Sequence, residues 1–471
     1  MSEPLWQWQD LVAATQGQPD GAPAAAIAGF SIDTRSLAPD EVFVALQDRR
    51  DGHEFVPTAF KAGAAAAIVA RSYAPPRAVG ALLRVDDPLR ALESIGRAAR
   101  TRSNARIVAI TGSVGKTGTK EMLRHSLSLS GSTHAAEKSY NNHWGVPLSL
   151  ARMPPDDAFG VFEIGMNHAG EIAPLVEQVR PHVAVITTVE PVHLGYFDSV
   201  KAIAEAKAEI FSGLVPGGTA VVPRDSPHYA LLLARARAVG AEIVTFGYHE
   251  EADFRALQVD LGAKGSSVIA GHGSQRFPYR LGAPGEHYVK NSLAVLATLT
   301  AVGADAMRCL PALARVSAPP GRGARTLLDA PDGGHILLID ESYNANPASM
   351  RAALATMGSI PREEFPRRVA VLGDMLELGE ASPDLHRALK EAIDAAGVDL
   401  VVACGPMMRL LLDDLAPERR VWGATSAELE AVLLGVVETG DVVMIKGSLG
   451  TRMAPLVAVM LGRFGPGRPG G

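Results

Sequence analysis

The chain has 471 residues, of which 47% are hydrophobic, and its formal net charge at pH 7 is −6. At about 150 residues per domain, this length predicts about three domains with sizeable cores. The negative charge argues against nucleic acid as the main partner, and the longest apolar stretch, residues 62–70, is far shorter than the ~20 residues that span a membrane.

The cysteines and the N-terminus bear on the cellular compartment. Cys309 and Cys404 are too few and too far apart for a disulfide framework or a zinc site. Residues 1–4 lack the basic start and the apolar centre of a secretory signal. We therefore expect a soluble cytoplasmic protein that does not act on membranes, and no pattern in the chain demands more than a monomer.

Strand and helix patterns divide the chain into three predicted domains, residues 1–100, 101–316 and 317–471. The second domain opens at an apolar segment around Ile107, and the turn-rich run Ser317–Gly323 reads as a linker to the third. Each domain is expected to have the α/β fold, because short and wholly apolar strands are typical of parallel sheets buried on both faces. The predicted strands are Val42–Leu46, Ile107–Ile110, Val161–Met166, Val183–Val189, Ile336–Ile339, Val369–Leu372, Leu400–Ala403 and Val442–Ile445.

Polar residues cluster where several of these strands end. Ligands of open parallel sheets gather beyond the carboxyl ends of the strands, so this placement predicts sites on two separate sheets. The residues concerned are His193 in the second domain and Asp340, Glu341, Asp374 and Lys446 in the third.

The run Thr111–Thr117 has the pattern of a phosphate-binding loop. It follows the strand Ile107–Ile110 and leads into a helix, so backbone N–H groups and the helix N-terminus can face phosphate oxygens. In this pattern Lys116 reaches the outer phosphates and the Thr117 hydroxyl contacts Mg²⁺. Isoleucine at position 110 stands where the full pattern has a further glycine. The alternative is a plain glycine turn that happens to contain Lys-Thr.

Two residues in the second domain have buried charge as their main feature. Glu163 lies in an apolar strand, where a carboxylate needs a partner such as a metal ion; the alternative is a strand-end glutamate that faces solvent. Lys207 falls at the centre of the apolar face of a predicted helix from Val200 to Gly213, capped by Ser199. There its pKa would fall and its amine could react with CO₂ to form a carbamate. Periodicity alone favours the alternative, in which the ammonium reaches water.

Other polar residues allow two interpretations each. His193 is a metal ligand or a hydrogen-bonded loop histidine. Asn141 and Asn142 bind polar groups of a substrate or form a turn. His287 and Asn291 lie four apart at a predicted helix start, where they contact an adenine base or cap the helix. Arg322 reaches phosphate charge from the linker or is solvated.

Taken together, these segments resemble the Mur ligases, and the resemblance runs in order through nearly the whole chain. It implies three domains: an N-terminal domain for the UDP-linked substrate, a central ATPase, and a C-terminal Rossmann-like domain. The segments that carry it are Thr111–Thr117, Tyr140–Pro147, Glu163, His193, Lys207, Asp340–Pro347, Leu372–Gly379, Lys446–Ser448 and Arg452-Met453. Asp340–Pro347 and Leu372–Gly379 are similar to segments of the member that adds D-alanyl-D-alanine to UDP-N-acetylmuramoyl-tripeptide.

The resemblance also implies roles for individual residues. Lys116, Lys207 and His193 would be catalytic, and Thr117, Glu163, His193 and carbamylated Lys207 would bind magnesium. ATP would be held by Gly112, Ser113, Val114, Gly115, Lys116, Thr117, Gly118, His287, Asn291, Arg322 and Glu341. The uridine nucleotide would meet Ser31, Thr34, Arg35 and Ser36, and other parts of the substrates would meet Asn141, Asn142, Tyr343, Asn344 and Lys446.

The implied reaction is ATP-dependent amide ligation through an acyl phosphate. Two departures from the family pattern stand out: Glu341 replaces a second aspartate, which bears on a ribose contact, and Gly118 replaces a common threonine. Other possibilities are a phosphate-loop hydrolase, a related amino-acid ligase such as a folylpolyglutamate synthetase, and a binding scaffold. A GTPase is disfavoured, because no asparagine in the chain is followed by lysine.

Overall fold

The computed structural model describes residues 4–23, 26–75, 80–136, 139–192, 194–262 and 264–465. These residues form an α/β protein with three separate sheets of five, nine and six strands, which confirms the predicted fold class. Within the described ranges, no helix combines the length and the apolar character needed to cross a lipid bilayer.

The first sheet has five strands in the order β1-β5-β4-β3-β2, parallel except at the β1–β5 edge. Its inner strands are buried because most of their residues are alanine, valine, leucine, isoleucine or phenylalanine, and β3 is shorter than the predicted Val42–Leu46. The elements are α1 (Trp8–Thr15), β1 (Gln18–Asp20), β2 (Gly29–Ser31), β3 (Glu41–Val44), α2 (Val56–Lys61), β4 (Ala66–Ala70), β5 (Ala81–Val85) and α3 (Pro88–Arg102).

The second sheet has nine strands in the order β14-β13-β12-β11-β10-β9-β6-β8-β7. Its strands and first helices are β6 (Arg106–Thr111), α4 (Lys116–Leu127), β7 (Thr133–Ala135), α5 (Gly145–Ala151), β8 (Phe159–Glu163), α6 (Ile172–Val179), β9 (Val183–Ile186), α7 (Val200–Ala208), β10 (Thr219–Pro223), α8 (Tyr229–Ala238) and β11 (Glu242–Gly247). The remaining elements are β12 (Phe254–Gly262), β13 (Gly265–His272), β14 (Gln275–Leu281), α9 (Glu286–Ala301) and α10 (Ala306–Cys309).

We predicted a parallel sheet with alternating strands and helices up to residue 316, and for three strands of this sheet that prediction is wrong. Strands β12, β13 and β14 follow one another without a helix and pair antiparallel. In β14 the side chains of Phe277, Tyr279 and Leu281 are buried, and the residues between them are exposed. Such alternation belongs to an antiparallel sheet with one face in solvent.

The third sheet has six strands in the order β15-β16-β20-β17-β18-β19, parallel except for the β15–β16 pair. All four predicted strands of this region are present, and each is one to three residues longer than predicted. The elements are β15 (Ala324–Asp329), β16 (His335–Glu341), α11 (Pro347–Gly358), β17 (Arg367–Gly373), α12 (Ser382–Arg387), α13 (Leu389–Ala395), β18 (Leu400–Cys404), α14 (Pro406–Asp413), β19 (Arg420–Gly423), α15 (Ser426–Val436), β20 (Asp441–Lys446) and α16 (Ala454–Phe464).

Side-chain hydrogen bonds fasten the first sheet to the second. The Arg100 guanidinium, on α3, donates to the carbonyls of Val179 at 2.8 Å and Arg180 at 2.9 Å, where α6 ends. The indole N–H of Trp6 donates to Ala151 O at 2.9 Å. Because α3 runs through residue 100, the first predicted boundary falls inside a helix, and the division into three domains stays a prediction.

Candidate active site

The loop between β6 and α4 has the strand–loop–helix geometry predicted for phosphate binding, and α4 begins at Lys116. Gly112 has φ +153° and Gly115 has φ +88°, values that side chains rarely adopt. A Cβ atom on Gly112 would overlap the Thr187 hydroxyl, and one on Gly115 would lie 2.7 Å from the Asn291 amide. Both glycines are therefore required by the close packing of the loop.

The ammonium group of Lys116 lies over this loop. Its Nζ donates a 2.6 Å hydrogen bond to the carbonyl of Gly112. Burial lowers the pKa of Lys116, the Glu163 carboxylate opposes that shift, and the Arg322 guanidinium adds to it. Two cations and one carboxylate thus lie close to the loop, and the net positive charge suits a polyanion such as a triphosphate.

Behind the loop, Thr117 and Glu163 form a buried pair. The Thr117 hydroxyl donates to Oε2 of Glu163 at 2.9 Å, and the Asn141 side-chain amide donates to Oε1 at 2.7 Å. The Ser139 hydroxyl lies 3.2 Å from that of Thr117. Glu163 is only 3% exposed, so the alternative of a solvent-facing glutamate is wrong.

These oxygen atoms fit a magnesium ion. Mg²⁺ in proteins is held by one or two carboxylates together with phosphate oxygens and water, rather than by a cage of side chains. One buried carboxylate and a neighbouring hydroxyl beside a phosphate loop match that donor set. The described part of the chain contains no cluster of three or more His, Cys, Asp or Glu residues that could hold a metal ion.

Lys207 lies on α7, which is capped by the Ser199 hydroxyl as predicted and continues as a 3₁₀ turn over Glu209–Gly213. The Lys207 side chain is buried, with 2% of the residue exposed. The interpretation that its ammonium group reaches water is therefore wrong. Burial lowers the pKa of Lys207 well below its usual value, and the charge of Lys116 adds to the shift, so the neutral amine is favoured. His193, predicted as its metal-binding neighbour, lies outside the described residues.

His287 and Asn291 lie in the first turns of α9, and Arg322 lies in the linker. Gly285 precedes the helix, and no side chain caps it there, so the capping alternative is wrong for His287. Asn291 is buried against the phosphate loop, and burial lowers the pKa of His287. The Arg322 guanidinium stacks 3.9 Å from the Tyr343 ring and donates to the Ser139 hydroxyl at 3.4 Å. It is therefore held in the site rather than solvated.

On the third sheet, an ion pair between buried Lys446 and half-buried Glu341 joins the ends of β16 and β20. The two strands pair in parallel with Glu341 opposite Lys446. Lys446 Nζ donates to Oε2 of Glu341 at 3.2 Å and to the carbonyl of Asn344 at 2.9 Å. This lysine fixes both the glutamate and the turn that carries Tyr343 and Asn344.

One cavity of about 1090 Å³ joins the second and third sheets. It brings together most of the predicted site residues: Ser113, Val114, Gly115, Lys116, Gly118, Asn141, Asn142, Glu163, His287, Asn291, Arg322, Glu341, Tyr343, Asn344 and Lys446. The Asn142 side-chain oxygen also accepts hydrogen bonds from the backbone N–H groups of Trp144 and Gly145, so its turn-forming role is observed. Ligands of both sheets would therefore meet in one space.

The predicted uridine segment lies elsewhere. Ser31, Thr34, Arg35 and Ser36 do not line this cavity. Ser31 is buried and its hydroxyl donates to Asp33 O at 3.0 Å, whereas the exposed Arg35 side chain pairs with Asp33 at 2.6 Å.

Two residues of the site and one buried lysine of α4 were missed from the sequence. Ser139 lies between Thr117 and Arg322, and its position beside Tyr140–Asn142 was the available signal. The backbone of Glu190 exchanges two hydrogen bonds with the Ser113 hydroxyl, and burial raises the pKa of its carboxyl group in the cavity. Lys120 is fully buried and holds the Ala136 carbonyl, a contact that no sequence pattern indicates.

Comparison with protein families identifies two matching segments. A model described as the Mur ligase middle domain matches residues 110–299, and one described as the Mur ligase, glutamate ligase domain matches residues 328–449. The chain is 34% identical to the UDP-N-acetylmuramoyl-tripeptide–D-alanyl-D-alanine ligase of Escherichia coli (strain K12), covering 91% of this chain and 92% of that protein. It is 32% identical to the enzyme of the same name from Bacillus subtilis (strain 168), with 92% of each chain covered.

Solved structures agree with these relatives. Crystal structure I of MurF from Acinetobacter baumannii matches with a TM-score of 0.83 and 32% identity over 97% of this chain and 99% of that one. The MurF ligase from Thermotoga maritima in complex with ADP matches with a TM-score of 0.74 and 25% identity over 92% of this chain and 96% of that one.

Proposed function

The chain belongs to the Mur ligase family, and from that premise we propose that it joins D-alanyl-D-alanine to UDP-N-acetylmuramoyl-tripeptide in peptidoglycan precursor synthesis. The enzyme is an ATP-dependent, ADP-forming ligase that uses Mg²⁺. The observation that carries the proposal is the buried Thr117–Glu163 pair behind the phosphate loop, in a cavity shared with the third sheet. This geometry serves phosphoryl transfer to a second ligand held across the cavity.

The proposed reaction has two steps. A carboxylate oxygen of the tripeptide attacks the γ-phosphorus of ATP, the bond to the β–γ bridging oxygen breaks, and ADP leaves. The amine of D-alanyl-D-alanine then attacks the acyl carbon, loses a proton, and displaces inorganic phosphate. Two anions meet in the first step, so Lys116 has the task of neutralising their repulsion.

Magnesium, when bound, supplies positive charge at the β- and γ-phosphates and at the reacting carboxylate. Thr117 and Glu163 would hold one ion. His193 and a carbamylated Lys207 would hold a second, a role that for His193 is supported by the resemblance alone. The depressed pKa of Lys207 supports the carbamate, since only a neutral amine reacts with CO₂.

We assign the remaining predicted residues to the two substrates. His287 and Asn291 contact the adenine, Glu341 binds the ribose, and Arg322 binds the phosphates. Asn141, Asn142, Tyr343, Asn344 and Lys446 meet the tripeptide or the dipeptide, and Ser31, Thr34, Arg35 and Ser36 meet the uridine nucleotide. The Glu341–Lys446 ion pair limits the contact of Glu341 with the ribose, because Lys446 already occupies one oxygen of the Glu341 carboxylate.

The proposed division of labour follows the predicted domains. Residues 1–100 take the UDP end, residues 101–316 bind ATP, and residues 317–471 bind the dipeptide. We propose a monomer, because no pattern in the sequence demands a higher assembly, and the cytoplasm, where ATP and nucleotide-linked precursors occur. Neither nucleic acid nor membrane is a proposed partner, in keeping with the net charge of −6.

A coupled phosphate-release assay tests the proposal. The enzyme is given ATP, Mg²⁺ and UDP-N-acetylmuramoyl-tripeptide, with either lysine or diaminopimelate as third residue, and then D-alanyl-D-alanine or single amino acids. Phosphate release that requires D-alanyl-D-alanine supports the proposal. Release that needs no amine would favour a phosphate-loop hydrolase, and release with single amino acids a different ligase.

A further inference from the structure

Two neighbouring loops of the third sheet expose large apolar side chains. One follows β17 and carries Leu376, which is 45% exposed; the other follows β20 and carries Leu449, which is 67% exposed. Leu449 is the most exposed large hydrophobic residue of the described chain and lines the central cavity. Apolar side chains grouped at the edge of a binding cavity mark a surface for a ligand.

The two loops are held rigidly against each other. The Leu376 N–H donates to the Ser448 hydroxyl at 2.9 Å, and the Ser448 N–H donates to Asp374 O at 3.2 Å. A Cβ atom on Gly450 would lie 2.7 Å from Leu376 Cδ1, so the loops are in contact there. The exposure of the leucines is therefore a property of a fixed surface and not of a loose segment.

Backbone strain is also concentrated in these loops. Among the described residues, five non-glycine residues have positive φ: Gln16, Asp40, Arg180, Glu377 and Arg452. Two of them belong to these loops, Glu377 with φ +63° and Arg452 with φ +54°. Each such conformation costs on the order of 1 kcal/mol and persists at sites where the position of a side chain matters.

Arg452 adds a positive charge to this surface. It follows Leu449 by three residues, its side chain is exposed, and no ion pair joins it to another described residue. The neighbouring loop is fixed to the second sheet, because the Gly195 N–H donates to Glu377 O at 2.9 Å. Leu449 thus lines the reaction cavity, Leu376 lies against the same loop at Gly450, and the exposed Arg452 follows three residues after Leu449.

This surface fits one end of the incoming dipeptide. D-alanyl-D-alanine carries an amine, two methyl groups and a carboxylate, and spans about 7 Å when extended. Its amine must face the acyl carbon near Lys116, so its carboxylate points away, toward the third sheet. We propose that Leu376 and Leu449 contact the methyl groups and that Arg452 pairs with the carboxylate, an inference that rests on the proposed function.

The test uses the variant Arg452→Gly in the phosphate-release assay. Because φ +54° suits glycine, its melting temperature is expected not to fall. The KM for D-alanyl-D-alanine is expected to rise about ten-fold or more, with the KM values for ATP and the UDP-linked substrate unchanged. The dipeptide carboxamide, which lacks the carboxylate, is expected to have the same KM with wild type and variant. Gln16→Gly relieves the same kind of strain far from the cavity and serves as the matched control.

A second variant tests the apolar contacts. Leu449→Asn is expected to lower the preference for D-alanyl-D-alanine over D-alanyl-D-serine about five-fold, whereas Leu461→Ala, an exposed leucine on α16, leaves that preference unchanged. A wild-type dipeptide KM in Arg452→Gly, or an equal rise for dipeptide and carboxamide, overturns the carboxylate contact. An unchanged preference in Leu449→Asn overturns the methyl contacts. In each case the proposed function is still supported if the wild-type enzyme ligates the dipeptide. If the wild-type enzyme does not ligate it, the proposed function itself is refuted.

Discussion

The Thr117 hydroxyl donates a 2.9 Å hydrogen bond to Oε2 of Glu163, and this bond joins the first turn of α4 to the end of β8. The two residues lie 46 positions apart in the chain. Their neighbourhood arises because β6 and β8 pair in parallel, with Ile110 opposite Glu163. The phosphate loop and the buried carboxylate are thus positioned by adjacent strands of one sheet.

Removing the charge of Glu163 should weaken metal binding. Glu163→Gln keeps an oxygen that accepts from Thr117, but it turns an NH₂ group toward Asn141. The variant also loses the anionic oxygen that a magnesium ion requires. We expect the Mg²⁺ concentration for half-maximal phosphate release to rise at least about ten-fold. A titration of Mg²⁺ measures this, with the exposed Glu205→Gln as control; an unchanged midpoint would exclude Glu163 as a ligand.

Lys116→Ala should abolish ATP-dependent ligation without unfolding the protein. The variant loses the cation that offsets phosphate repulsion, so phosphate release is expected to fall about 10²- to 10³-fold. Because burial already disfavours this ammonium, its removal should not lower the melting temperature. The exposed Lys61→Ala should behave as wild type. Retained ligation in Lys116→Ala would remove the phosphate loop from the mechanism.

Lys207→Ala should be inactive, and a short-chain carboxylic acid such as acetate should partly restore its activity. The added carboxylate would take the place of the carbamate that the alanine variant cannot form. Phosphate release at increasing acetate concentration measures the rescue. Lys201→Ala, on the exposed face of the same helix, is the control. Wild-type activity in Lys207→Ala would show that the buried amine has no role in the reaction.

Asp441 should make stability depend on pH. Burial raises its pKa to about 6 in the folded protein, against 3.8 as the ordinary value. The raised pKa stabilises the fold at low pH, and this contribution is lost as the pH rises through about 6. Asp441→Asn removes the dependence, so the variant should gain about 1 kcal/mol relative to wild type between pH 5 and 8. Melting temperatures at both pH values measure this, with the exposed Asp48→Asn as control; a constant difference would contradict it.

Binding of both substrates should compact the molecule, with the linker Ser317–Gly323 as the hinge. An acyl phosphate hydrolyses in water, so the third sheet is expected to close over the site. Small-angle scattering with a non-hydrolysable ATP analogue and the UDP-linked substrate should show a smaller radius of gyration. Lys116→Ala should not compact. An unchanged radius in the wild-type enzyme would count against closure.

The phosphate loop was predictable because its requirements are local. Positive φ at Gly112 and Gly115, together with the helix start at Lys116, follows from a few consecutive residues. The strands of the third sheet were predictable for a similar reason, since each is a short apolar run. The ends of β16 and β20 were placed too early, because the charged residues Glu341 and Lys446 pair with each other inside the ladder.

Other features depend on tertiary contacts and could not be predicted in this way. Periodicity placed Lys207 on the apolar face of its helix, but only packing of the second domain shows that the side chain is buried. The meander of β12 to β14 was missed although Phe277, Tyr279 and Leu281 alternate with polar residues, because a parallel sheet was expected there.

The guanidinium clamp of Arg100 on the last carbonyls of α6 has a consequence for spectroscopy. A fluorophore pair with one dye on α1 and the other on α8 should report a constant transfer efficiency through the catalytic cycle. The hydrogen bonds of Arg100 hold the first and second sheets together at this point. When the second dye is placed on α15 instead, the transfer efficiency is expected to change as the third sheet closes over the site. Such a pair would follow turnover as a movement of the third sheet relative to the other two.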